Sequence, residues 1–400
     1  MLPLAPLLAV VHAAAAEPIP EEDLVRAFLE GPVGTTQATA AEAQQRADGT
    51  AGPLLANPEL EVRHEAPAGS VSDAIGGSMV FDLGLVALTE RGAAGLLGDA
   101  AGERGKAMRL ASICDLRRDA VDLWAAGVSR QTIADGQALL EDLVGTLGEL
   151  AAAGEASGYD RDRTELEVAT HRLDADRAQG SLLDLQAHLS STTGTPVTAV
   201  TLRPLGPLPA LEDLPQRVES HPALVSSTLG RDADGKLEAA ARRAFLPDLR
   251  VSAAQRFDSI GQADAVAGFE VGAAVEVPLF DQGRATTRTA AASHRASEAS
   301  TADLRAALTA AATGAWGRAT ALQQDVPDRV EPTAIWVAAT TRYTAGESTL
   351  EDLLQTADAV EHARLAAIER QRLLRRAHLD VACATGTFTD PAMQALLEFR

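Results

Sequence analysis

Aromatic residues are scarce in this chain, 3% of 400 residues, with three Trp and two Tyr. That leaves little material for a bulky aromatic core. A hydrophobic content of 46%, dominated by Ala, instead suits long helices packed closely together. Positive charge is also in deficit. The net charge of −21 argues against a phosphate backbone as partner, so no nucleic acid is expected. Past the N-terminus no stretch of ~18 uncharged apolar residues occurs, so no transmembrane helix is expected. Cysteine is nearly absent. Cys114 and Cys383 sit in neither C-x-x-C nor metal-type spacing, and the expectation is two free thiols acting as small buried hydrophobes. The eight histidines are scattered. No H-E-x-x-H, G-x-S-x-G or G-x-x-x-x-G-K-[ST] occurs. No catalytic residue, cofactor or metal site is therefore expected. His171, His362 and His378 lie on charged helices and are expected to be solvated.

Residues 1–16 are apolar and end in Ala14-Ala15-Ala16 before Glu17-Pro18, similar to a secretory signal with A-x-A cleavage but without its basic start. The other reading is a frayed apolar terminus. An exported chain without a membrane helix is periplasmic, secreted or an outer-membrane β-barrel.

What is present is a duplication. Tyr343-Thr344-Ala345-Gly346-Glu347-Ser348-Thr349-Leu350 lies between two Ala/Leu-rich segments with helical spacing. Gly346 suits a helix stop, Ser348 or Thr349 a restart, and Glu351 and Asp352 place negative charge in the new first turn. This predicts the tip of a helical hairpin. A second copy, Ala153-Gly154-Glu155-Ala156-Ser157, stands 192 residues earlier, and the same offset carries Arg172-Leu173 onto Arg364-Leu365. Cys114 lies 40 residues before Gly154 and Cys383 lies 37 after Gly346. At ~1.5 Å per residue both sit at nearly one height above the tips, which does not establish contact.

The elements expected around the tips follow the same duplication. Residues 17–56 form a weakly helical N-terminal segment broken by Gly31, Gly34, Gly49, Gly52 and Pro53. The first repeat, 57–195, holds a strand pair over 57–88 and a helical hairpin over 93–190. A proline-rich linker covers 196–215. The second repeat, 216–385, holds a helix over 216–244, a strand pair over 247–279 and a hairpin over 283–383 interrupted at Pro327 and Pro332, before a tail over 386–400. Pro58-Glu59-Leu60-Glu61-Val62 returns as Pro247-Asp248-Leu249-Arg250-Val251. Along 249–279, Phe269, Val271 and Val275 alternate with Glu270 and Glu276, which predicts strands with one apolar face. Such strands are long enough to cross a bilayer when tilted. In the first half Met79, Phe81, Leu83 and Leu85 alternate in the opposite parity when aligned on Val86 and Val277, and a β-bulge would absorb the slip.

This order of elements, occurring twice, resembles the TolC-like outer-membrane efflux factors, most of all the branch that serves heavy-metal pumps. The residues that carry the resemblance are Asn57-Pro58-Glu59-Leu60, Val277-Pro278-Leu279-Phe280-Asp281-Gln282-Gly283, Tyr343-Thr344-Ala345-Gly346-Glu347 and Leu350-Glu351-Asp352-Leu353-Leu354. The resemblance implies a mainly α fold with a β-barrel part: a homotrimer whose protomers each give four strands to an outer-membrane barrel and long antiparallel helical hairpins to a periplasmic tunnel. It implies a passive duct rather than an enzyme, with a periplasmic adaptor protein docked on Gly154, Glu155, Ala156, Ser157, Gly346, Glu347, Ser348 and Thr349, and an inner-membrane efflux pump beyond it. It implies gate residues Asp160, Tyr343, Asp352 and Gln355. Ser348 stands where the family has a gate arginine, and Gln355 where it has a second acidic ring position. Two other readings are a periplasmic adaptor, which would need lipoyl-like and small-barrel β domains, and a structural coiled-coil protein.

Overall fold

The computed structural model describes residues 17–52, 57–66, 70–154, 157–260, 266–276, 283–324 and 332–388. In chain order these form β1 (Ile19–Pro20), α1 (Glu21–Glu30), α2 (Pro32–Asp48), β2 (Glu59–Glu65), β3 (Ser70–Asp82), α3 (Val86–Ala153), α4 (Gly158–Thr193), β4 (Val200–Thr201), α5 (Leu214–Glu219), α6 (Pro222–Arg243), β5 (Asp248–Ile260), β6 (Val266–Glu276), α7 (Arg284–Gln323), α8 (Pro332–Thr344) and α9 (Leu350–Thr385). The chain divides into two compact units. One holds residues 1–37, 108–217 and 309–400, the other 38–107 and 218–308. The expected signal segment, Val277 to Gln282, Pro327 and most of the tail lie outside the described residues.

The first unit is helical and carries two apolar cores. In one, Leu24, Val25 and Phe28 of α1 meet Ile113 and Leu116 of α3, Leu189 of α4 and Leu379 of α9. In the other, Leu140, Leu143 and Leu147 of α3 meet Val168 of α4 and Leu350, Leu353 and Leu354 of α9. Both follow from Leu at helical spacing on facing stripes. The expected linker is pinned at its start: Val197 and Val200 are buried, and β4 pairs in parallel with β1.

The two cysteines correct the sequence reading. Cys114 and Cys383 form a disulfide, with Cα atoms 6.1 Å apart. Residue counting gave their common height but not their azimuth. Helices α3 and α9 lie side by side, joined by Arg118–Asp380, Arg372–Asp122 and Arg376–Asp122 ion pairs at 3.0, 2.9 and 2.6 Å, and both sulfurs enter the core that holds Leu379. His171 also departs from expectation. Its side chain is only 13% exposed, with Nδ1 3.3 Å from Glu361 Oε2 and Nε2 3.8 Å from Asp358 Oδ1. Burial raises the Glu361 carboxyl above the usual range. His378 is half-buried, and burial together with the Arg375 guanidinium pushes it below the usual histidine value. His362 is exposed, as expected of a solvated residue.

The second unit contains one antiparallel sheet in the order β2-β3-β5-β6. Its registers set Leu249 beside Phe81 and Val275, and Val251 beside Met79 and Ala273. One face thus carries Leu60, Val62, Ile75, Met79, Phe81, Leu249, Val251, Phe269, Val271 and Val275. The other carries Glu59, Glu61, Arg63, Arg250, Arg256 and Glu270. Arg250 reaches across to Glu59 at 2.6 Å.

The expected bulge is absent from β3, which pairs with β5 without interruption from Ser70 to Asp82. The strand ends at Asp82 and not at Leu88, because Asp82 caps the next helix: its Oδ2 accepts the Ala87 N–H at 2.8 Å. Val86 and Leu88 are therefore helical, and their aligned partners Val277 and Leu279 lie outside the described residues. The glycines that open α3 serve packing. A Cβ on Gly98 would lie 2.8 Å from Gly49 Cα, and one on Gly105 2.7 Å from Ala41 Cβ, so α2 and α3 approach closely only because these positions lack side chains.

Candidate functional site

The two hairpin tips lie in the first unit. Gly154 and Gly346 both hold the left-handed conformation, φ 78° and 74°. At the second tip Gly346 N–H donates to Tyr343 O at 2.9 Å and Glu347 N–H to Arg342 O at 2.9 Å, the pair of bonds of a Schellman stop. At the first, Gly154 N–H donates to Ala151 O at 3.1 Å. Glu155 and Ala156 lie outside the described residues. The chain restarts at Ser157, whose hydroxyl accepts the Tyr159 N–H at 3.2 Å, and at Thr349, whose hydroxyl accepts the Asp352 N–H at 3.2 Å.

Sequence reading missed the far ends of the returning arms. Helices α4 and α9 have 36 residues each and stop at Gly194 and Gly386, both left-handed. The buried Thr193 and Thr385 hydroxyls bond to Leu189 O and Val381 O at 2.8 and 2.9 Å. The signal that could have revealed them is the tripeptide Thr-Gly-Thr at 193–195 and 385–387, again 192 residues apart.

The offset also makes Asp160 and Asp352 equivalent, and the structure treats them differently. Asp352 is bound into its own helix start. Its Oδ2 accepts the Thr349 N–H at 3.1 Å and the Thr349 hydroxyl at 2.7 Å, closing a capping box. These bonds hold its carboxyl below the usual aspartate range. Asp160 has no comparable side-chain bond among the described residues. Its carboxylate lies near Tyr343 instead: burial raises the phenol above its usual value, and Asp160 raises it further. Tyr343 packs against the core of Leu350 and Leu353. The structure thus brings Asp160 and Tyr343 together across the two hairpins but sets no hydrogen bond between them within the described chain.

Gln355 is exposed and donates to Glu351 Oε1 at 3.4 Å. Glu351 in turn lies 3.8 Å from Arg163 of the other hairpin. Glu347 is exposed, and the buried Ser348 hydroxyl oxygen has no hydrogen-bond partner among the described residues. The two hairpins thus face each other through the Arg163–Glu351 approach and the Asp160–Tyr343 approach. Among the described residues no group of three or more His, Cys, Asp or Glu could hold a metal ion. No described helix is long and apolar enough to cross a membrane.

No family model matches the chain, and no curated protein matches it. Solved structures do. The outer-membrane protein VceC of Vibrio cholerae superposes with a TM-score of 0.75 at 15% identity, covering 92% of this chain and 97% of that one. The outer-membrane channel OprN superposes at 0.73 with 17% identity, covering 92% and 90%. The open state of the MtrE outer-membrane channel of Neisseria gonorrhoeae superposes at 0.66 with 17% identity, covering 92% and 89%. At these identities the likeness is one of fold, and it runs nearly the full length of both chains: this protein has the fold of those outer-membrane channels.

Proposed function

We propose that the protein is the outer-membrane channel of a tripartite efflux system, a passive exit duct assembled from three copies. The observation that carries this reading is the sheet. Its apolar face is bare, with Leu60, Val62, Phe269 and Val271 exposed at 80, 70, 86 and 79%. Its strands β3, β5 and β6 have 13, 13 and 11 residues, enough to span a bilayer when tilted. A large uncovered apolar face marks contact with lipid or protein. The outer strands β2 and β6 each pair on one side only among the described residues, so closing a barrel requires further copies of the chain. A full-length fold shared with outer-membrane channels supports the same conclusion. A periplasmic adaptor or a structural coiled coil has no use for such a sheet.

The tips would receive a periplasmic adaptor protein that couples the duct to an inner-membrane pump. The heavy-metal branch rests on the four stretches quoted above, 57–60, 277–283, 343–347 and 350–354. Asp160, Tyr343, Asp352 and Gln355 are proposed as the gate, with the Asp160–Tyr343 approach as its physical basis. In the trimer three Asp352 carboxylates would raise one another's pKa and attract cations, against the cap that lowers them in the protomer.

The barrel assignment is tested by Val271→Arg and Glu270→Gln. The first should impair assembly by ~2–4 kcal/mol near the bilayer midplane and the second should be tolerated; equal tolerance, read by detergent-resistant trimer on gels, would sink it. The gate is tested by Tyr343→Phe with Asp160→Ala, which should raise conductance in planar bilayers. Unchanged conductance would reduce these residues to helix-end packing.

A further inference from the structure

The helical unit holds, away from the tips, a cavity of about 100 Å³ between α1, α3, the segment 202–209 and α9. Arg117, Arg203, Arg217, Arg375 and His378 line it, against the single lining carboxylate of Glu21. In a chain of net charge −21, that concentration of cations runs against the overall balance. Glu21 is already engaged on both oxygens. Oε1 accepts from Arg117 Nε at 2.5 Å and Oε2 from the Arg203 N–H at 3.4 Å. Arg203 itself lies 3.5 Å from Glu22.

Arg375 stands apart from these pairs. Its Nη1 donates to the Arg203 main-chain oxygen at 2.8 Å, and its guanidinium stacks 5.4 Å from the centroid of the Trp124 ring. Neither neighbour carries a negative charge. Burial lowers its pKa and Glu21 opposes this only partly, while His378 beside it is lowered by burial and by Arg375 itself. The Arg375 shift reports a partly desolvated space, and the His378 shift reports burial beside a positive charge. A guanidinium offers five N–H donors in a planar fork that matches carboxylate and phosphate oxygens. Apolar walls from Leu202, Pro204, Pro207 and Leu379 would strengthen such bonds by excluding water.

We propose that this cavity binds a small oxyanion, a carboxylate or phosphate group, with Arg375 as the principal anchor. The anion would tie α1, the 202–209 segment and α9 together and return the site toward neutrality. A ligand that binds only the folded chain raises its thermal stability in a saturable way.

The test uses the full chain in detergent, titrated with sodium phosphate or sodium succinate at an ionic strength held constant with sodium chloride. Heat of binding and the thermal midpoint are followed together. Saturable binding of one anion per chain, with a rise in midpoint, is expected for at least one of the two salts, and the stronger response tells phosphate from carboxylate. Binding should also move the His378 titration upward by NMR. Arg375→Gln should abolish saturation while circular dichroism shows an intact helical chain. Where Arg375→Gln fails to fold, Arg375→Lys decides: it keeps the charge but loses the fork, and should bind about tenfold more weakly. Absence of saturable binding in the wild type, or affinity unchanged in the variant that folds, overturns the proposal.

Discussion

The two returning arms, α4 and α9, begin with the same punctuation and end in different states. Each starts on a hydroxyl cap, carries Asp at the third helical position, and stops at a left-handed Gly after a buried Thr. Yet Asp352 is spent on its own capping box, while Asp160 is left facing Tyr343 of the other hairpin. Leu353, fully buried, has Arg161, 46% exposed, as its equivalent. Cys383, disulfide-bonded to α3, has Ser191. Duplication therefore preserved the backbone signals and let the side-chain links diverge. The second arm is fastened by the disulfide and by buried Leu353, and the first sets Asp160 beside Tyr343 of the other hairpin.

Removing the fastening should have the largest effect. Replacing Cys114 and Cys383 by Ser should destabilise the chain by about 2–5 kcal/mol and loosen α9 more than α4 in hydrogen exchange. Thiol labelling of the unreduced, denatured wild type should give no signal; two labelled thiols would remove this difference between the arms. Next, Leu353→Ala should lower local stability near the second tip by about 2–5 kcal/mol, whereas Arg161→Ala should stay within about 0.5 kcal/mol. Equal losses would mean that both arms are packed alike.

The shared backbone signals should respond alike. Gly154→Ala and Gly346→Ala each force an L-residue into the left-handed region and should each cost about 1–2 kcal/mol, read by exchange at the tip amides. A large loss at one tip alone would break the symmetry. The smallest effect concerns the caps. Thr349→Ala should cost about 0.5–2 kcal/mol, and it should remove a pH dependence of the second tip. The folded Asp352 carboxyl lies below its usual value of 3.8. Its contribution is thus complete above that pH and is lost as pH falls through the folded value. Pepsin should cut the second tip increasingly as pH drops through this window in the wild type, with a flatter profile in Thr349→Ala.

The tips were legible in the sequence because Gly, Ser or Thr, and Asp specify backbone conformations locally. The strands of the second half were legible because period-two alternation is also local. The first-half strand end was not: Val86 and Leu88 continue an alternating pattern, and only the Asp82 cap decides for helix. The disulfide and the burial of His171 were not legible either. Both depend on which faces of distant helices meet, and residue counting gives height along a helix but not rotation around a bundle. The role of residues 20–49 emerged only when Leu24, Val25 and Phe28 entered the core and Ala41 and Gly49 met the glycines of α3. Glu155 and Ala156 remain sequence expectations, outside the described residues.

We propose that the four-stranded sheet lies in the outer membrane. Cell fractionation tests it most directly. The wild-type protein should sediment with outer membranes, resist extraction by salt, and migrate faster on gels when left unheated in detergent than after boiling. Recovery in the soluble periplasmic fraction, with migration unaffected by heating, would contradict a membrane-embedded sheet.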